Sequence, residues 1–153
     1  MPSVEWNPGF EIGIAVIDGQ HRRIVDYINT LHDLGPTADR RHVAHVIDDL
    51  VDYTYSHFAF EEALMEEAGY VHLAVHCKTH EAFRQRLDDL QGRFNDGDDI
   101  AGELGKMLVT WLLRHIASDD ISYAPVVRER MPGITQKNDG SWLKQAIGRF
   151  FGT

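Results

Sequence analysis

Nine of the 153 residues are histidine and one is cysteine. Imidazole is the commonest protein metal ligand, so the histidine positions call for an explanation. Five of them occupy places where a helix should present an apolar residue. His21 heads a stripe with Ile24, Ile28 and Leu31, and His57 and Glu61 continue Leu50 and Thr54 toward Leu64. His76 and His80 stand between Leu73 and Phe83, and His115 follows Leu108 and Trp111. Burying an unpartnered polar group costs on the order of a few kcal/mol, so these six side chains need each other or a bound ion. The pairs His57/Glu61 and His76/His80 are spaced i, i+4, and each projects from one face of its helix. Five imidazoles exceed the needs of one tetrahedral zinc, H-E-x-x-H is absent, and one cysteine excludes a thiolate site. None of the nine histidines has Glu three residues before it, against the carboxylate-rich Glu-x-x-His class of di-iron bundles. The count suits two metal ions, and mixed imidazole and carboxylate donors suit iron.

The elements that must position these donors are helical. Residues 1–17 read as an ordered arm, apolar and punctuated by Pro8, Gly9 and Gly13. Asp18 is expected to cap a first helix over about 19–34, stopped by Gly35-Pro36. A second helix over about 38–68 ends at Gly69, and a third over about 72–94 carries Leu73, His76, His80, Phe83, Leu87, Leu90 and Phe94 in register. The fourth, about 100–118, carries Ile100, Leu104, Leu108, Trp111 and His115. No segment alternates for long enough to be a strand. Short connections predict an all-α, antiparallel up-down-up-down four-helix bundle with an N-terminal arm and a C-terminal amphipathic tail helix. In that topology the six chemical side chains fall at one end, in a layer roughly 15 Å thick at about 1.5 Å rise per residue.

The strings IDGQH at 17–21, HFAFEEALMEEAGY at 57–70, HCKTH at 76–80 and WLLRHIASDD at 111–120, followed by Tyr123, resemble the prokaryotic branch of the hemerythrin family. The likeness runs from about Trp6 to Tyr123. It implies a non-haem centre of two iron ions (Fe2+/Fe3+) bridged by oxo or hydroxo. His76, His80 and His115 would hold one iron, His21 and His57 the other, and Glu61 and Asp120 would bridge them. Helix geometry alone favours Asp119, at i+4 from His115. The family pattern places the acid at i+5, so Asp120 is preferred over Asp119, and that demands a widened or ending last turn. The implied function is reversible dioxygen binding for carriage, storage or delivery, with oxygen held end-on as hydroperoxide at the open iron. It is a binding role rather than an enzymatic one. The proton moves with the electrons, so no net charge is created in a low-dielectric interior. Ile24, Phe58, Phe60, Phe83, Trp111 and Leu112 are expected to exclude water. The alternative is oxygen, redox or nitric-oxide sensing through the same centre with a protein partner.

His32, His42, His45 and His72 have no assigned role. Glu62, Glu66 and Glu67 read as a solvated acidic face, and Cys77, about 100° round the helix from His76, is not a ligand. Composition is that of a globular chain, 43% hydrophobic and 25% charged. A net charge of −9 argues against nucleic-acid binding. With no basic leader, no long apolar run and a single cysteine, the chain reads as cytoplasmic, and a monomer is favoured. Pro125 and Pro132 are expected to close a bundle of residues 1–123, leaving 124–153 as a tail. That tail carries five basic and two acidic side chains, against ten and twenty-two in 1–123. Asn138-Asp139-Gly140 reads as a turn with Ser141 as cap. Trp142, Leu143, Ala146, Ile147, Phe150 and Phe151 then mark a helix too short to stand alone in water. It must fold back on its own bundle, contact a protein partner or membrane surface through 142–151, or be disordered.

Overall fold

The computed structural model describes residues 4–35, 38–132 and 141–152. Helices α1 (Ala15–Leu34), α2 (Arg40–Ala68), α3 (Leu73–Asn95) and α4 (Ala101–Arg114) form the bundle expected. A π-helical turn, His115–Asp120, joins α4 to α5 (Ile121–Arg130), and α6 (Ser141–Phe151) follows. No strand occurs among the described residues. Helix α1 packs on α2 and α4, α2 on α3, and both α5 and α6 lie against α2. Ile28, Ile47, Leu50, Phe83, Leu87, Leu104 and Leu108 are almost fully buried, each contributing about 1.5–3 kcal/mol. No described helix is long and apolar enough to cross a membrane.

Sequence signals and chain ends mostly coincide. Asp39 caps α2 by accepting from Arg41 N at 3.1 Å, and Gly69 ends it in the left-handed region at φ 73°. Asp18 departs from its expected role. Helix α1 starts earlier, at Ala15 after the extended Ile14, because burying Ile14 and Ile17 favours one more turn. From inside that turn the Asp18 carboxylate accepts from Ile12 N at 2.8 Å and Gly13 N at 3.2 Å. It therefore ties the arm to the helix start rather than capping it, near the positive end of the helix dipole. The arm is also pinned by Asn29, which exchanges two 2.7 Å hydrogen bonds with the Val4 backbone.

The fourth helix does not end near 118, and Pro125 does not close it. The chain stays helical to Arg130, with Pro125 inside α5. Tyr123, Ala124 and Val127 are fully buried on one face of that helix, which outweighs a cost of about 3 kcal/mol for an internal proline. Arg128 Nη1 then donates to Ile12 O at 2.7 Å, locking α5 to the arm. Gly13 is required there: its φ is 86°, and a Cβ would meet Arg128 Nη1 at 3.0 Å.

The expected tail helix folds back on the bundle. Leu143 and Ala146 are buried against it. Trp142, Phe150 and Phe151 ring the buried Phe60, with centroids 5.9, 6.4 and 5.9 Å away, and Phe151 also meets Tyr53 at 5.2 Å. The expected turn at 138–140, its Ser141 side-chain cap, and Pro36 lie outside what is described.

Candidate metal centre

Helices α1, α2 and α3 and the π-helical turn that extends α4 deliver donors to one level. Helix α1 supplies His21, α2 supplies His57 and Glu61 one turn apart, and α3 supplies His76 and His80 one turn apart. The π-helical turn supplies His115 and Asp120. None of the seven is more than 5% exposed. The wide turn decides which acid faces inward. It rotates Asp120 into the core, fully buried, and leaves the Asp119 side chain 39% exposed at the edge.

All five imidazoles aim Nε2 at the two carboxylates. Glu61 Oε1 lies 2.7 Å from His76, 3.0 Å from His80 and 3.4 Å from His115. Its Oε2 lies 3.4 Å from His57 and accepts from Tyr123 Oη at 3.0 Å. Asp120 Oδ1 is 2.8 Å from His115 and 3.3 Å from His76, and Oδ2 is 2.9 Å from His21. Two groups result, Glu61/His76/His80/His115 and His21/His57/Glu61/Asp120, each with donor atoms within 4.8 Å of one another. Glu61 belongs to both.

These residues fit metal ions better than they fit each other. His21 Nε2, His57 Nε2 and both Asp120 oxygens are buried without a hydrogen-bond partner among the described residues, although oppositely charged atoms stand near. Their lone pairs converge on shared points instead. His80 Nε2 and His115 Nε2 face each other at 3.0 Å, the spacing of adjacent corners around an ion with bonds of about 2.1 Å.

Electrostatics agree. Burial drives His57 down to about 3, outweighing the nearby Glu61, so its imidazole is neutral and free to ligate. Burial opposes ionisation of Glu61 and Asp120, yet the facing histidines hold both carboxyls below their ordinary values. The same carboxylates overcome burial to lift His76 to about 9 and to raise His115. Without a bound cation, the pocket recruits protons to balance its two buried anions.

The hemerythrin HHE cation binding domain model matches residues 12–127. The chain belongs to the hemerythrin family. It is 45% identical over 153 residues to a bacteriohemerythrin of Pseudomonas paraeruginosa, covering 99% of this chain and 100% of that one. A bacteriohemerythrin of Methylococcus capsulatus is 34% identical over 127 residues, covering 82% of this chain and 97% of the relative. A solved wild-type hemerythrin superposes with TM-score 0.78 at 30% identity, over 82% of this chain and 98% of its own.

In this hemerythrin-family chain the outward ring nitrogens of His57, His80 and His115 are also engaged, and here the sequence reading needs correction. His80 Nδ1 bonds Glu62 Oε2 at 2.8 Å, and Arg84 Nη2 donates to the same oxygen at 3.0 Å. Glu62 is therefore not part of a merely solvated face. Asp119 accepts from His115 Nδ1 at 3.0 Å, acting on the ring rather than at its inner nitrogen. Gln20 Oε1 accepts from His57 Nδ1 at 2.7 Å. Such contacts select the tautomer that leaves Nε2 free for an ion. Gln20 was legible in principle, because it falls on the buried stripe between Ile17 and Ile24. Glu62 was not, since it lies off the inward stripe of α2, one residue beyond Glu61.

Aromatic rings fix the imidazole planes. Phe58 stacks on His80 at 4.0 Å and 12°, Trp111 on His115 at 4.3 Å and 17°, and Phe83 on Trp111 at 4.0 Å and 19°. His42, His45 and His72 are exposed and His32 half-buried, all away from the cluster. Cys77 belongs to neither donor group, and burial, followed by the Glu62 charge, pushes its thiol up to about 11.

Proposed function

We propose that the protein binds dioxygen reversibly at a non-haem di-iron centre. His76, His80 and His115 would hold one iron, His21 and His57 the other, and Glu61 and Asp120 would bridge them. The observation that carries this reading is the pair of buried four-residue groups sharing Glu61, in one of which His21 Nε2, His57 Nε2 and both Asp120 oxygens have no hydrogen-bond partner among the described residues. Bound there, a ferrous pair supplies the two electrons that dioxygen takes up and returns.

The chain's own residues keep that exchange reversible. Glu61 presents one oxygen to the His76/His80/His115 side and the other to His57, while the Tyr123 hydroxyl anchors the second oxygen. Gln20, Glu62 and Asp119 hold three of the rings by their outer nitrogens. Ile24, Phe58, Phe83 and Leu112 are buried around them and exclude water, which limits loss of bound oxygen to irreversible oxidation. Relatives matched along their whole length carry the name bacteriohemerythrin, which favours oxygen binding over sensing.

Metal analysis with an anaerobic oxygen titration followed in the visible spectrum tests this. Two irons per chain and a colour change reversed by removing oxygen are expected. One zinc per chain, or a reduced protein whose spectrum ignores oxygen, would overturn the reading.

A further inference from the structure

The seam between α3 and α4 is the sparsest in the bundle, and Trp111 sits in it. This ring both lines a surface groove and stacks flat on His115 of the cluster. The groove above it, about 320 Å³, is walled by Arg86 from α3 and by Lys106 and Arg114 from α4. It continues along α3 past Lys78. Arg86, Lys106 and Arg114 are exposed and form no ion pair with any described residue. The one acid lining this groove, Glu103, is held by Arg93 at 3.0 Å. Three uncompensated cations around a half-buried tryptophan stand out on a chain of net charge −9. Helix α6 packs on α2 and leaves this face open.

We propose that this groove docks a small acidic electron-carrier protein, and that Trp111 is the contact through which electrons reach the centre. The inference rests on the di-iron reading above. The donor cluster is sealed from solvent, so a protein-borne donor cannot touch it. Electron transfer weakens steeply with separation, and the Trp111–His115 stack is the short aromatic route inward. The charge pattern selects the partner. An acidic protein is steered to the cationic rim that Arg86, Lys106 and Arg114 form. Two carriers, each oxidised by one electron, would take two ferric ions to ferrous. The bridging oxygen would accept one proton from solvent. This restores the oxygen-binding state after accidental oxidation.

The test uses the full-length, oxidised, iron-loaded protein and a reduced acidic ferredoxin as probe. Hydrogen exchange should show ferredoxin-dependent protection in segments 82–90 and 103–114. In stopped flow, reduction should slow with salt and fall roughly 10-fold or more in the R86E/K106E/R114E variant, while reduction by a neutral hydroquinone is unchanged. Trp111→Leu should slow transfer from ferredoxin without reducing its protection of the groove, and Trp111→Phe should restore much of the rate. Protection mapping to another face, or equal rates in the charge-reversed variant, would overturn the proposal. So would concentration-dependent protection of the groove without ferredoxin, which would assign it to a second copy of the chain. Metal analysis beforehand separates these outcomes from failure of the di-iron reading, which would show as an absent iron pair.

Discussion

The three residues that hold the outer ring nitrogens should matter in an order set by solvent. Gln20 is 5% exposed, while the Glu62 side chain is 25% and that of Asp119 39% exposed. Removing an outer partner of a metal-ligating histidine typically costs about 10- to 100-fold in metal affinity, or roughly 1.4–2.7 kcal/mol. Water can replace the lost acceptor only where it can reach the ring. At His57, itself buried, the Gln20→Leu change leaves Nδ1 with no substitute, so the loss should approach 100-fold. Glu62→Ala should fall in the middle, because Arg84 loses one of its two acidic partners, keeping Glu81, and solvent enters. Asp119→Ala should lie near the lower bound, about 10-fold. The assay is competition for iron against a chelator of known affinity, each variant being checked by circular dichroism for an intact bundle. If Asp119→Ala is the most damaging of the three, or if all three stay within about twofold, then solvent replacement does not govern the outer contacts and the reasoning fails.

Other outcomes follow from the same geometry. Asp120→Ala should lose the iron pair, whereas His45→Ala should leave iron content unchanged, as plasma emission analysis would show. In the iron-free protein, His76 titrates near 9 when folded and about 6.5 when unfolded. A raised pKa means stability present in full below about pH 6.5 and lost as pH climbs to about 9, a loss of about 3 kcal/mol. His57, lowered to about 3, instead costs stability as pH falls below about 6.5. Urea midpoints of the iron-free protein should therefore peak near pH 6.5, and a midpoint still rising at pH 8.5 would contradict this. Deleting residues 133–153 uncovers Phe60 and Tyr53 and removes buried Leu143 and Ala146. Stability should fall by about 3–5 kcal/mol. An unchanged denaturation midpoint would mean that α6 does not hold to α2.

Helical periodicity and depth were enough to mark His21, His57, Glu61, His76, His80 and His115 as inward residues at one end of a bundle. Such a signal is local: a residue's position on its own helix follows from 3.6 residues per turn, and turn residues such as Gly69 mark where each helix stops. What the sequence could not decide is everything that depends on a second helix. Regular helix geometry points to Asp119 and only the family resemblance to Asp120, and the π-helical turn that buries Asp120 is itself invisible to helical periodicity. The hold of Glu62 on His80 depends on how α2 and α3 are rotated about their axes, which no single stripe encodes. Pro125 reads as a breaker until Tyr123, Ala124 and Val127 are seen buried around it. The tail helix announced an apolar face, but only the packed molecule shows Phe60 of α2 as what that face covers. The reason is the same throughout: local pattern fixes which side of an element is apolar or reactive, while crossing angle and rotation between elements fix which atoms meet.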